Sequence, residues 1–77
     1  MPTLLYLFGL RFFFYSDEHL PIHVHVQNSD GKAKINVETA DVMENKGLKP
    51  KDLAKAVDAV RQYKSDFIKA WYEHFDE

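Results

Sequence analysis

The strongest constraint on this chain is a single change of period. From Ile22 to Val26 and again from Ala33 to Val37 apolar residues recur at every second position; from Asp52 onward they recur every three or four. Period two belongs to a strand with two distinct faces, and a period near 3.6 to an amphipathic helix. A chain that switches once must bury the apolar face of a sheet against the apolar stripe of a helix.

The alternation is cleanest in Ile22-His23-Val24-His25-Val26, with the two histidines on the face opposite the aliphatics. Asn28-Ser29-Asp30-Gly31 is a turn by composition. Ala33, Ile35 and Val37 then alternate with Lys32, Lys34 and Asn36. Pairing Gln27 with Lys32 places Val26 opposite Ala33, Val24 opposite Ile35 and Ile22 opposite Val37. The same register sets His25 against Lys34 and His23 against Asn36, so both alternations agree. Upstream, Tyr6, Phe8, Phe12, Phe13, Phe14 and Tyr15 crowd a region of strand formers divided by Gly9. Residues 3–8 and 10–16 read as a tight hairpin, with one continuous buried strand as the alternative. Residues 17–21 form a polar connection closed by Pro21, and a short fifth strand is expected around 41–44, before Asn45-Lys46-Gly47 ends the sheet.

Pro50 suits a first helical turn. Leu53, Ala56, Val57, Val60, Tyr63, Phe67, Trp71 and Phe75 form one stripe, and no proline or glycine follows Pro50. One helix of about 25 residues, near 37 Å at 1.5 Å per residue, is expected, with a break near Lys64 and Ser65 as the alternative. The expected fold is therefore α+β: a small antiparallel meander of four to five short strands packed against one long C-terminal helix. A single domain over 1–77 holds a β-sheet region at 1–44 and the helix at 50–75.

Composition narrows the function. With 77 residues the core is thin, and such domains often depend on a disulfide, a metal or a partner. The absence of cysteine removes disulfides and thiolate metal sites. A net charge of −2 excludes a strongly basic nucleic-acid binder. The apolar stretch 4–15 is shorter than the roughly 20 residues a membrane helix needs and has neither a basic leader nor a cleavage site. No membrane association and a cytoplasmic location are the expectations. Between Lys46 and Lys69 seven Lys or Arg face three Asp, which reads first as a solvated helix and second as a phosphate-facing one.

Three of the four histidines, His19, His23 and His25, fall within seven residues, beside Asp17 and Glu18. His23 and His25 share a strand face about 7 Å apart at Cα, close enough for two imidazoles to hold one metal. His19 or Asp17 can supply a further ligand from the loop, a donor set that suits a divalent metal such as zinc. The same pair can instead act as acid and base on a phosphodiester, with Arg11 or Lys34 contacting the phosphate. The plain alternative is a polar strand face, where Lys34 would repel a cation.

The opening Met1-Pro2-Thr3, the stretch Arg11-Phe12-Phe13-Phe14-Tyr15-Ser16, the run from Asp17 through His19-Leu20-Pro21-Ile22-His23-Val24-His25-Val26, and the ending Trp71-Tyr72-Glu73-His74-Phe75 resemble a bacterial family catalogued as domain of unknown function 4160. That family often has a second proline where Ile22 stands and an aspartate where Glu18 stands. The resemblance implies genes that neighbour another small gene, in arrangements like toxin–antitoxin modules, and it favours His19, His23 and His25 as a functional set. The leading expectation is a small cytoplasmic component of such a two-gene module, binding a partner protein encoded nearby or nucleic acid. The second is a histidine-based metal or phosphodiester site, hence a candidate nuclease. The third is a structural adaptor without chemistry. The thin core and the aromatic hairpin at 4–15 lead to the expectation of a homodimer.

Overall fold

The structure is a computed structural model and describes residues 3–15 and 18–75. Five strands, β1 (Thr3–Leu7), β2 (Leu10–Phe13), β3 (His23–Gln27), β4 (Lys32–Asn36) and β5 (Val42–Lys46), precede two helices, α1 (Pro50–Gln62) and α2 (Lys64–Phe75). The strands form one antiparallel sheet in the order β1-β2-β3-β4-β5, a meander throughout.

The β1–β2 connection is a two-residue turn at Phe8 and Gly9, with φ of 56° and 74°. Two successive positive φ values match the strand twist of a tight hairpin. This favours the hairpin over a continuous strand and places it in the same sheet as the histidine strand. β3 and β4 pair in the register expected from the sequence, including His25 with Lys34 and His23 with Asn36. Val37 extends it by donating its backbone N–H to the Ile22 carbonyl at 3.0 Å. β5 runs on to Lys46 instead of ending at 44, because Asn45 and Lys46 pair with Ala33 and Lys32.

Alternation assigns Leu10, Phe12, Phe14, Val24, Val26, Ala33 and Ile35 to the face under the helices, and all are buried. Ala56, Ala59, Val60, Phe67 and Trp71 complete the same apolar cluster from the helical side. Phe67 stacks on Phe12 at 5.9 Å, and Trp71 meets Phe14 edge-on at 5.3 Å between centroids.

The expected single helix is divided at Tyr63, one residue before the break considered in the sequence. The Tyr63 N–H still donates to the Ala59 carbonyl, and the Phe67 N–H to the Tyr63 carbonyl, both at 2.9 Å. The chain therefore turns with its hydrogen-bond ladder nearly intact. The physical reason is length. A straight helix over 50–75 would measure about 37 Å, whereas the longest Cα dimension is 33 Å. Turning at Tyr63 keeps both Val60 and Trp71 on the core.

Candidate functional site

The second face of the sheet carries the histidines. Arg11, Phe13 and Tyr15 on the β2 side, His23 and His25 on β3, Lys32 and Lys34 on β4, and Glu44 and Lys46 on β5 all fall on it by alternation and register. This face is not simply solvent-facing. Phe13 is buried, and His23 and His25 retain only 5% and 9% exposure. Half-exposed histidines, the plain expectation for a polar strand face, are therefore not what is found.

Residues 18–22, before β3, approach the histidines through Glu18. They contain a cis Leu20–Pro21 peptide bond. One Glu18 oxygen, Oε1, lies 3.1 Å from His23 Nε2, and the other, Oε2, lies 2.9 Å from His25 Nε2. The Tyr15 backbone N–H donates to Oε2 at 3.3 Å, which holds the carboxylate against the strand. Ligand atoms from Glu18, His23 and His25 all fall within 4.8 Å of one another.

The hydrogen bonding of His23 restricts its tautomer. Its Nδ1 lies 2.7 Å from the Pro21 carbonyl oxygen. A carbonyl only accepts, so Nδ1 carries a proton and donates it. In the neutral ring Nε2 is then a bare lone pair, aimed at the Glu18 oxygen. Two lone pairs do not attract. The pair is satisfied only by a cation between them or by a proton on one of them.

His25 lies in an aromatic slot. Its ring stacks on Phe13 at 5.6 Å, meets Tyr15 at 4.3 Å, and faces His23 at 5.3 Å. Burial is the largest influence on it and pushes its pKa below the ordinary imidazole value; His23 and Lys34 push the same way. The Glu18 charge and hydrogen bond oppose this and lose. Lys34, directly across the β3–β4 pair, favours a neutral His25. Trp71 packs against the His23 ring at 5.3 Å from the helical side, tying the site to the core.

The residues singled out from the sequence divide accordingly. His23 and His25 converge. His19 lies exposed in the same connection and outside their cluster. Asp17 lies outside the described residues. Glu18 takes the carboxylate position instead. Sequence reasoning placed it beside the histidines without a role, and the one signal for it was its position immediately before His19. Lys34 lines the site through His25. Arg11 lies further along the face, its guanidinium 4.4 Å from the Phe13 centroid and its Nε donating to Thr3 Oγ1 at 3.0 Å. Phe13 therefore lies between Arg11 and the histidines.

Among the described residues no helix is long and apolar enough to cross a membrane. No match was found among curated proteins or solved structures. Residues 9–72, which include every residue of the cluster, match the family described as Domain of unknown function (DUF4160). The chain belongs to that family.

Proposed function

We propose that this family member is a small divalent-metal-binding protein whose centre is Glu18, His23 and His25. One observation carries the reading: three ligand atoms converge while the far nitrogen of His23 is held as a donor by a backbone carbonyl. A metal-bound histidine needs its ligating nitrogen bare and its other N–H engaged, commonly by a carbonyl. The Pro21 carbonyl does this for His23. Burial favours the neutral ring in His25, which is the form a metal requires. Two imidazoles and one carboxylate suit zinc or iron(II) and leave coordination positions for an exogenous ligand.

The competing chemistry, a metal-free acid–base pair, fits less well. Such a pair must flank a phosphodiester with its reactive nitrogens accessible. Here both Nε2 atoms point at one carboxylate, and the His23, His25 and Glu18 side chains are 7%, 11% and 9% exposed. There is no gap between them for a phosphate.

Around that centre we place the broader role: a cytoplasmic component of a two-gene, toxin–antitoxin-like module that assembles with a second protein or with its own copy. The support is the pair of open sheet edges, with Tyr6 and Phe8 exposed at one and Val42 and Met43 at the other. The decisive experiment is a zinc titration of the full chain, followed by imidazole NMR and calorimetry. Stoichiometric zinc should perturb His23 and His25 together, and Glu18→Gln should weaken binding at least tenfold while His19→Ala leaves it nearly unchanged. Zinc that perturbs no histidine, or only one, removes the metal reading.

A further inference from the structure

Beside the histidines the sheet face sinks into a hollow of about 120 Å³, lined by Tyr15, His25, Lys32, Ala33, Lys34, Glu44 and Lys46. Pockets for whole small molecules run to roughly 300 Å³ and more. This one suits a single compact ionic group.

Its charges are arranged against the interest of the sheet. Lys32 and Lys46 pair directly across β4 and β5, and like charges directly opposite destabilise a strand pair. Lys34 adds a third positive charge on the same face of β4, facing His25. Glu44, opposite Lys34, is the single acid in the lining and is itself 3.8 Å from Lys46. The hollow thus holds three lysines against one carboxylate, within a chain whose net charge is −2. Lys32 Nζ donates to the Tyr15 hydroxyl at 2.8 Å. That bond uses the hydroxyl as an acceptor and leaves its own proton available to a guest. Every donor in the lining therefore favours an anion.

We propose that the hollow is a phosphate-binding subsite, on the same sheet face as the Glu18–His23–His25 centre. The subsite does not rest on the metal reading. His25 is the shared wall, since its ring lines the hollow and its Nε2 belongs to the centre. A phosphate here would relieve the Lys32–Lys46 repulsion and neutralise Lys34, the one cation set against a metal at His25.

The test is an amide NMR titration of the metal-free full chain with inorganic phosphate, at ionic strength held constant with sodium chloride. Saturable shifts confined to β4, β5 and Tyr15 are expected. Lys46→Glu should weaken them at least tenfold. That substitution turns the repulsive Lys32–Lys46 pair into an attractive one and loses the exposed Lys46–Glu44 contact, two small opposing effects, and thermal unfolding of the variant verifies its fold. Its zinc titration should match the parent, which separates the subsite from the centre: lost zinc binding with intact phosphate binding overturns only the metal reading. A parallel titration with a single-stranded oligoribonucleotide identifies the source. Shifts at the same amides at lower concentration than phosphate support a nucleic-acid phosphodiester; phosphate shifts without oligonucleotide shifts support a small phosphate ester. No saturable shift beyond the chloride control, or equal binding by Lys46→Glu, overturns the subsite.

Discussion

Glu18 decides what two histidines on one strand can do, because it gives both Nε2 atoms a common partner. Replacing it with Gln keeps the size and removes the charge. His25 then loses the carboxylate charge, the larger of the two influences that raise its pKa, and should titrate lower still. An NMR pH titration of the His25 ring checks this, and an unchanged or higher value would mean that Glu18 is not its partner in solution. The shift in the parent also fixes a sign for stability. A buried His25 that resists protonation leaves the unfolded chain binding more protons between the lowered folded value and about 6.5, its ordinary value. Stability should therefore be complete above about 6.5 and fall as pH drops through that window. His25→Phe, which keeps a ring between Phe13 and Tyr15, should flatten this contribution in chemical denaturation at several pH values. How much of the site was legible follows from the same residues. Strand alternation alone puts His23 and His25 on one face. Glu18 sits in an irregular connection whose path depends on tertiary packing, and no periodicity reports where such a side chain lands. For the same reason the proximity of His19 in sequence gave no guide to its position in space.

At the level of elements, Gly31, the residue before β4, lies tight against the end of β5. A Cβ on Gly31 would run into the Lys46 carbonyl oxygen and lie 2.7 Å from the Gly47 Cα. These are backbone atoms that cannot rotate away. Gly31→Ala should cost about 1–3 kcal/mol, the range for overpacking a tight site, and a denaturant midpoint equal to the parent's would refute the close approach. Trp71→Ala should cost more, about 3–5 kcal/mol, since it empties the space against Phe14, Phe75 and His23. The β3–β4 register could be read in advance because two independent alternations had to agree, and a slip of one residue would have turned Val24 and Ile35 to the wrong face. The bend at Tyr63 was less legible. The residue breaks no propensity rule, and its cause is the small extent of the sheet the helix must cover, a property of the assembled molecule.

For the molecule as a whole, the feature that bears on assembly is the unpaired β1 edge. Phe8 is the residue that bears on it. Its φ of 56° is a left-handed conformation that asparagine or glycine adopts at far less cost than an aromatic side chain. It is also 62% exposed, with Tyr6 beside it at 71%. Within the monomer its ring is met by Lys55, whose Nζ lies 5.6 Å from the centroid, an exposed contact worth on the order of 0.5–1 kcal/mol. The backbone cost of an aromatic residue here is of order 1–3 kcal/mol, so that contact does not offset it. An exposed aromatic side chain kept in an unfavourable backbone conformation at an unpaired edge fits a surface that is covered in use. The expected occupant is a second copy of the chain, meeting β1 against β1. Phe8→Asn separates this from a role within the fold. The substitution relieves the turn, so it should raise the unfolding midpoint of dilute monomer by an amount equivalent to roughly 0.5–1 kcal/mol. It should also weaken self-association measured by sedimentation at high micromolar concentration. Tyr6→Ser should weaken association without the gain in monomer stability, because Tyr6 lies within β1 and outside the turn. If the parent sediments as a monomer at those concentrations, or if Phe8→Asn lowers the midpoint, the β1 edge is not a self-association surface.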